Sequence, residues 1–443
     1  MILSRKSGKE VALGYAALAR LGSAPVCAAA LGLAACGGGR LSTSGPPTPS
    51  TQDGSGPNWL ILASDGNFYG TTASGGQFNR GTVFSISPSG AETVLYSFAG
   101  GGSDGAYPQG LLQGSDGDFY GTTANGGQGN CPSSAPAGAS SGATGCGVVF
   151  RLTAQGQEQI VYFFTGAADG GEPNGSLLQA SSGSFYGTAR YGGASGAACG
   201  NAGCGVVFQL TPAGSEQALY AFGAAASDGT LPTSLMLASD GNLYGTTQLG
   251  GVSNDGTVFR LTLAGVETVL HSFGGEADGI GPAAALVEGS NAMLYGTTPF
   301  GGASAGSSPS CTNGCGTVYQ ISLAGVESVL HAFAGAAADG ANPYAALLLG
   351  ADGNFYGTTS AGGDGSCSAG CGTLFQVTPA GAETLVYSFG SAAQGSDPTA
   401  GVLQGSNGDL YGVAASGGAA SAGTVFDITT QGMESVLYAF GSS

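Results

Sequence analysis

Lysine is missing from this chain after Lys9, and charge of either sign is scarce: only 8% of the residues are Asp, Glu, Lys or Arg. Beyond residue 35 there are 26 acidic residues against five arginines (Arg40, Arg80, Arg151, Arg190 and Arg260), a net charge near −21. Such a surface repels phosphate backbones and excludes nucleic acid as a partner. Only two histidines occur, His271 and His331. No Asp-x-Asp-x-Asp-Gly loop, cofactor loop or nucleophile–base pair can be read, so no cofactor and no metal are expected. After the N-terminal leader no segment is apolar for long enough to span a membrane.

What the chain does have is one statement made seven times. A Tyr-Gly-Thr-Thr-like tetrad begins at Tyr69, Tyr120, Tyr186, Tyr244, Tyr295, Tyr356 and Tyr411, at spacings of 51, 66, 58, 51, 61 and 55 residues. A repeat of this length marks stacked supersecondary units. In the second copy, Gly110–Gly114 is a short apolar run, Asp118–Thr123 and Gly147–Thr153 are β-rich, and Glu158–Phe164 is a fourth strand. Val, Ile, Tyr, Phe and Thr fill these runs, while Gly, Asp, Asn and Ser supply the turns between them. We label the strands A to D. Seven four-stranded antiparallel units predict an all-β, seven-bladed β-propeller over residues 58–443, closing blade against blade without a borrowed strand. An open solenoid is the alternative, but it needs polar end caps that the sequence does not show.

The N-terminus is read as a lipoprotein-type signal peptide, residues 1–35: a basic start (Arg5, Lys6, Lys9, Arg20), an apolar stretch, then Leu33-Ala34-Ala35-Cys36. Cys36 is the expected lipidation site; an ordinary secretory signal is the alternative. Residues 36–57, rich in Gly, Ser, Thr and Pro, are expected to form a flexible tether. Eight further cysteines fall as four local pairs in B–C loops: Cys131/Cys146, Cys199/Cys204, Cys311/Cys315 and Cys367/Cys371. Even, position-matched pairing in an exported chain reads as disulfides; a zinc site would need His partners or two pairs meeting.

Strand alternation puts the B–C and D–A′ loops on one face and the short A–B and C–D turns on the other. The first face varies most, so a ligand is sought there. Each D–A′ loop carries an Asp (Asp104, Asp169, Asp228, Asp278, Asp339, Asp397), which reads as a turn cap; a calcium-binding carboxylate ring is the rival. His271 and His331 occupy the strand-D place of Tyr96, Tyr162, Tyr220, Tyr387 and Tyr438 and read as packed ring substitutes. Arg151/Glu158 and Arg260/Glu267 read as cross-strand partners, and Trp59 as a plug between the first and last blades. Aromatic and arginine exceptions on the variable face are Phe78, Arg80, Arg190, Tyr191, Phe300, Tyr107 and Tyr344; the last five are the expected ligand contacts. Glu288, the lone carboxylate at its strand-A position, with Glu172 or Glu276 would permit glycoside-type hydrolysis.

The unit Leu-Leu-x-Gly-Ser-Asp-Gly-Asn-Phe-Tyr-Gly-Thr-Thr, followed by Gly-Gly, Gly-Thr-Val-Phe and Gly-x-Glu-Thr-Val-Leu-Tyr-Ser-Phe, resembles the GloVer repeat of bacterial cell-surface proteins that carry varied anchors. The resemblance spans residues 58–441. It implies export and anchoring, and it carries no activity and no functional residues. The expectation is a monomeric, lipid-anchored binding or scaffold module at the outer membrane or cell surface, secreted or periplasmic otherwise, for a glycan or protein partner. An extracytoplasmic propeller hydrolase is the second reading, and the balance is against an enzyme.

Overall fold

The computed structural model describes residues 53–131, 144–193, 199–200, 202–275, 277–302, 311–336, 339–391 and 393–441. Cys36 and the leader lie outside the described residues. Seven four-stranded antiparallel sheets follow one another, each ordered A–B–C–D along the chain. In the second, A is Gly105–Gln113, B is Phe119–Gly126, C is Val148–Leu152 and D is Glu158–Phe163. This is the seven-bladed β-propeller that the repeats predict. Strand A of the first blade starts at Gly54, inside the segment read as tether.

The tetrad explains how blades stack. In four blades its Tyr hydroxyl donates to the A–B turn Asp of its own blade, Tyr69 to Asp65 at 2.9 Å, Tyr120 to Asp116 at 2.8 Å, Tyr244 to Asp240 at 2.8 Å and Tyr356 to Asp352 at 2.9 Å, while Tyr295 and Tyr411 accept from turn Asn291 and Asn407, both at 2.8 Å. Where strand B of the next blade opens with Phe, the Tyr ring packs on it, as in Tyr69–Phe119 (centroids 4.1 Å apart) and Tyr295–Phe355 (4.0 Å); Leu243, Leu294 and Leu410 open it elsewhere. Each such pair adds about 1 kcal/mol beyond the area it buries. The Gly must be Gly: a Cβ on Gly70 or Gly121 would enter the strand-C ring of Phe84 or Phe150. The first Thr donates to the next blade, Thr246 to Ala284 O at 3.1 Å and Thr358 to Ala400 O at 3.0 Å. The second Thr pairs within its own blade, Thr359 with Thr373 at 2.7 Å.

A backbone clasp joins each pair of blades. The residue before the strand-A proline takes a left-handed conformation in every blade: Gly56, Tyr107, Glu172, Leu231, Gly281, Asn342 and Asp397, with φ between 53° and 66°. Its N–H reaches the residue before the Gly that opens strand C of the preceding blade, for example Tyr107 to Arg80 O (2.9 Å), Glu172 to Cys146 O (2.9 Å) and Asn342 to Cys315 O (2.7 Å). The proline then lies on that Gly, where Gly81, Gly205 and Gly372 leave no room for a Cβ beside Pro108, Pro232 and Pro398. The seventh clasp closes the ring. Gly56 N donates to Ala422 O at 2.8 Å, and Phe68 packs on Tyr411 at 4.6 Å.

All four cysteine pairs are bonded as expected, with Cα–Cα distances of 4.9, 5.2, 4.5 and 5.1 Å. They point to an oxidising, extracytoplasmic environment. Blades 1 and 4, without a pair, secure the same loop otherwise. Asn79 and Asn254 sit at φ 52° and 63°, and their side-chain oxygens accept from Gly75 N (2.9 Å) and Gly250 N (3.0 Å).

Two details differ from the sequence reading. Arg151 pairs with Asp118 at 2.5 Å and lies 3.5 Å from Asp116, not with Glu158. The register sets Arg151 opposite Gln159 and Leu152 opposite Glu158, so side-chain alternation sends Arg151 and Glu158 to opposite faces. Arg260 likewise sits opposite Thr268. Trp59 leans toward the second blade, its indole N–H donating to Leu111 O at 3.0 Å, and does not plug the first-to-last seam.

Candidate functional site

A cavity of about 440 Å³ lies among the strand-A starts and is lined by residues of all seven blades. The position just after the strand-A proline faces it. That position reads Asn58, Gln109, Asn174 and Thr233 in blades 1 to 4, then Ala283, Tyr344 and Thr399. The proline and the clasp before it repeat, so the backbone is the same in each blade while the displayed side chain changes. Apart from Tyr344, sequence reasoning missed this set, because it sought exceptions in loops; the signal was the unrepeated residue following each repeated proline.

The lining is held in place. The Asn58 amide donates to Pro108 O at 2.9 Å and accepts from Thr71 at 2.8 Å. Gln109 donates to Tyr107 O at 3.0 Å, and Asn174 accepts from Thr188 at 3.1 Å. Among the described residues of the lining Arg190 alone is charged, and it is steadied by Gln248 at 3.1 Å from the next blade. Tyr344 meets Phe300 edge to face at 6.0 Å. Burial, then the nearby Asp397 carboxylate, pushes its phenol pKa up, so it presents a neutral ring and hydroxyl.

The expected ligand contacts therefore separate. Arg190 and Tyr344 line the cavity, with Phe300 behind Tyr344. Tyr107 does not: its side chain is fully buried with Ala106 and Ala124, because its backbone forms a clasp. Tyr191 is half-buried in strand B opposite Gly171 and is not part of the lining.

The three acids separate as well. Glu288 accepts from Ser239 N (2.8 Å) and Ser239 Oγ (2.5 Å) in the preceding blade. Gln113, Gln179 and Gln404 accept from Ser64, Ser115 and Ala351 N in the same way. Glu288 is thus a latch at the A–B turn end of its strand. Glu172 is buried at the opposite, clasp end. One strand A spans Glu172 to Gln179, the counterpart of Glu288, a run of about 23 Å, whereas glycosidase carboxylates stand about 5–9.5 Å apart. Glu288 and Glu172 are not brought together, and Glu276 lies outside the described residues.

The Asp ring is turn chemistry. Asp104 accepts from Ala99 N and Gly105 N, both at 2.6 Å, and Asp228 from Gly223 N and Gly229 N, both at 2.8 Å. Asp397 is not a member, being the clasp residue of its loop; Gln394 takes the turn place and reaches Tyr387 Oη at 2.8 Å. The remaining seam, between blades 7 and 1, uses Asp53, which accepts from Tyr438 Oη at 2.9 Å and Gly441 N at 2.6 Å.

Facing these turn caps across each seam is the glutamate that opens strand D of the next blade. Burial, and after it the facing Asp53, Asp104, Asp169 or Asp228, pushes Glu92, Glu158, Glu216 and Glu267 up to about 7. Each also keeps a buried Oε1 without a hydrogen-bond partner, as suits a protonated carboxyl. The folded state therefore holds protons that the unfolded chain, at about 4.5, has released. This contribution to stability is complete below pH 4.5 and is lost as pH rises to 7. The melting temperature is expected to be about 5 °C higher at pH 5.5 than at pH 8, with Glu158→Gln reducing the difference. Calorimetry showing a flat or rising profile between those values would sink this reading.

Fold and cavity together define a seven-bladed β-propeller with an axial pocket. The sequence matches the Gloeobacter/Verrucomicrobia repeat over residues 38–132, 137–308 and 304–443, and the chain belongs to that family. No curated protein matches it. Among solved structures it is similar in fold to a streptogramin B lyase (16% identity, TM-score 0.51, covering 82% of this chain and 91% of that one). A catalytically inactive variant of virginiamycin B lyase from Staphylococcus aureus, crystallised with quinupristin, is similar at 16% identity and TM-score 0.51, covering 82% and 93%. A puromycin hydrolase mutant complexed with PGG is similar at 13% and 0.54, covering 86% of this chain and 53% of that one. At these identities the likeness shows the fold alone.

Proposed function

We propose that the protein is an exported, membrane-anchored binding module whose axial cavity takes a glycan at the cell envelope. The observation that carries this reading is the lining itself: seven equivalent backbone positions displaying unlike side chains, in a molecule where nearly everything else repeats. Fixed amides from Asn58, Gln109 and Asn174, hydroxyls from Thr233 and Thr399, and one aromatic ring from Tyr344 suit a polyhydroxylated ligand, which needs many short donors and acceptors and a flat apolar wall. Arg190, a cation in a strongly acidic protein, suits an acidic sugar at one end. Among the described residues the lining offers no carboxylate or imidazole as general acid or base, which favours binding over turnover.

Titration calorimetry against neutral and uronic-acid oligosaccharides tests this. Tyr344→Ala and Arg190→Ala are each expected to weaken binding about tenfold or more, the latter only for acidic sugars, with melting temperatures unchanged. Peptide binding in place of glycan binding would replace the ligand class, and release of cleaved product would replace the module with a hydrolase.

A further inference from the structure

Five of the seven blade seams carry a tyrosine on strand D; the two on either side of blade 5 carry histidine. In the first, His271 of blade 4 meets Asp278 of the connecting loop and Glu327 of blade 5. In the second, His331 of blade 5 meets Asp339 and Glu383 of blade 6. In each trio one nitrogen and two carboxylate oxygens lie within 4.8 Å of one another. His271 Nε2 stands 3.1 and 3.2 Å from the two Asp278 oxygens, and His331 Nε2 is 3.4 Å from Asp339 Oδ1.

These imidazoles do replace the tyrosine rings in packing. His271 sits edge-on to Phe273 at 4.9 Å and His331 to Phe333 at 4.7 Å, as Tyr96 does to Phe98 at 5.0 Å. The chemistry they bring is different. A phenol held neutral by burial and the facing carboxylates donates a hydrogen bond at this place, as Tyr220 does to Asp228. A neutral imidazole nitrogen is a metal ligand. The phenylalanine fixes the plane of that ring, with Nε2 toward the Asp carboxylate.

We propose that the two histidine seams each bind a divalent transition-metal ion of the zinc class, through His271, Asp278 and Glu327 and through His331, Asp339 and Glu383. One nitrogen and two carboxylates form a borderline donor set that zinc takes at about 2.0–2.2 Å in tetrahedral sites. Such a site has ligand–ligand edges of about 3.3–3.6 Å, so the trios need only small rotations to close on an ion. The metal would neutralise two facing carboxylates in each seam and tie blade 5 to both neighbours. His271 and His331 keep side-chain exposures of 20% and 21%, which leaves an open fourth position for water.

The test is zinc titration of the purified, EDTA-stripped chain by calorimetry and equilibrium dialysis, in excess magnesium so that the acidic surface is saturated. The expected stoichiometry is two. His271→Tyr or His331→Tyr should lower it to one and the double variant to none. Tyrosine is the residue of the other five seams, so these variants are expected to fold, and circular dichroism checks that they do. Zinc should raise the melting temperature of the wild-type chain and leave that of the double variant unmoved. No binding by the wild-type chain, or a stoichiometry unchanged in the double variant, overturns the proposal.

Discussion

Reduction of the four disulfides is expected to lower the melting temperature by about 10 °C. The pairs close segments of 15, 5, 4 and 4 residues. The chain-entropy model assigns about 3 kcal/mol to the first and about 2 kcal/mol to each of the others, about 9 kcal/mol together. Over residues 53–441 an unfolding entropy of about 0.8 kcal/mol/K converts that to the stated shift. Position adds to loop entropy here. Cys146, Cys204, Cys315 and Cys371 supply the carbonyls that receive the clasp of the next blade, so each bond fixes a seam as well as a loop. Replacing Cys131 and Cys146 by Ser should have the largest effect of the four pairs. Thermal melts with and without reductant decide it: a shift below about 2 °C would mean that the clasps hold the loops unaided.

The repeat made the blades, their number and the disulfides legible, because each rests on local identity recurring at fixed phase. It also singled out Arg190 and Tyr344, which line the cavity, and Phe300, which packs on Tyr344. What could not be read were relations between blades. Glu288 looks like a lone carboxylate on an axial strand, yet its partner is a turn amide of the neighbouring blade. Asp397 aligns with the Asp ring by residue type, while the clasp geometry makes Gln394 the true occupant. Tyr107 stands out as an aromatic exception and is buried by the same clasp. Each misreading has one cause. A seam brings together residues about one repeat apart in the chain, and nothing within a single repeat shows which of its side chains cross.

A chain starting at Asn58 is expected to melt about 6 °C below one starting at Asp53, although the repeat pattern marks residue 58 as the start of the domain. The five residues between them carry the closing seam. Asp53 accepts from Gly54 N at 2.7 Å, Tyr438 Oη at 2.9 Å and Gly441 N at 2.6 Å. Gly54, Ser55 and Pro57 pair with Gly75, Ser74 and Thr72, Gly56 N clasps Ala422 O, and Pro57 lies on Gly423. Hydrogen bonds to a charged group are worth about 1.5–3 kcal/mol each; losing Asp53 and the clasp together removes about 5 kcal/mol, less whatever water returns to the exposed groups. Asp53→Ala in the longer chain should recover about half the loss, since the clasp and the strand pairing survive it. Equal melting temperatures for the two chains would show that blade packing alone, through Phe68 on Tyr411, closes the ring. A loss confined to Asp53→Ala would assign closure to that carboxylate. The expected result divides it between the two, because among the described residues the first and last blades share no strand and the seventh seam is held by both a turn-cap carboxylate and a clasp.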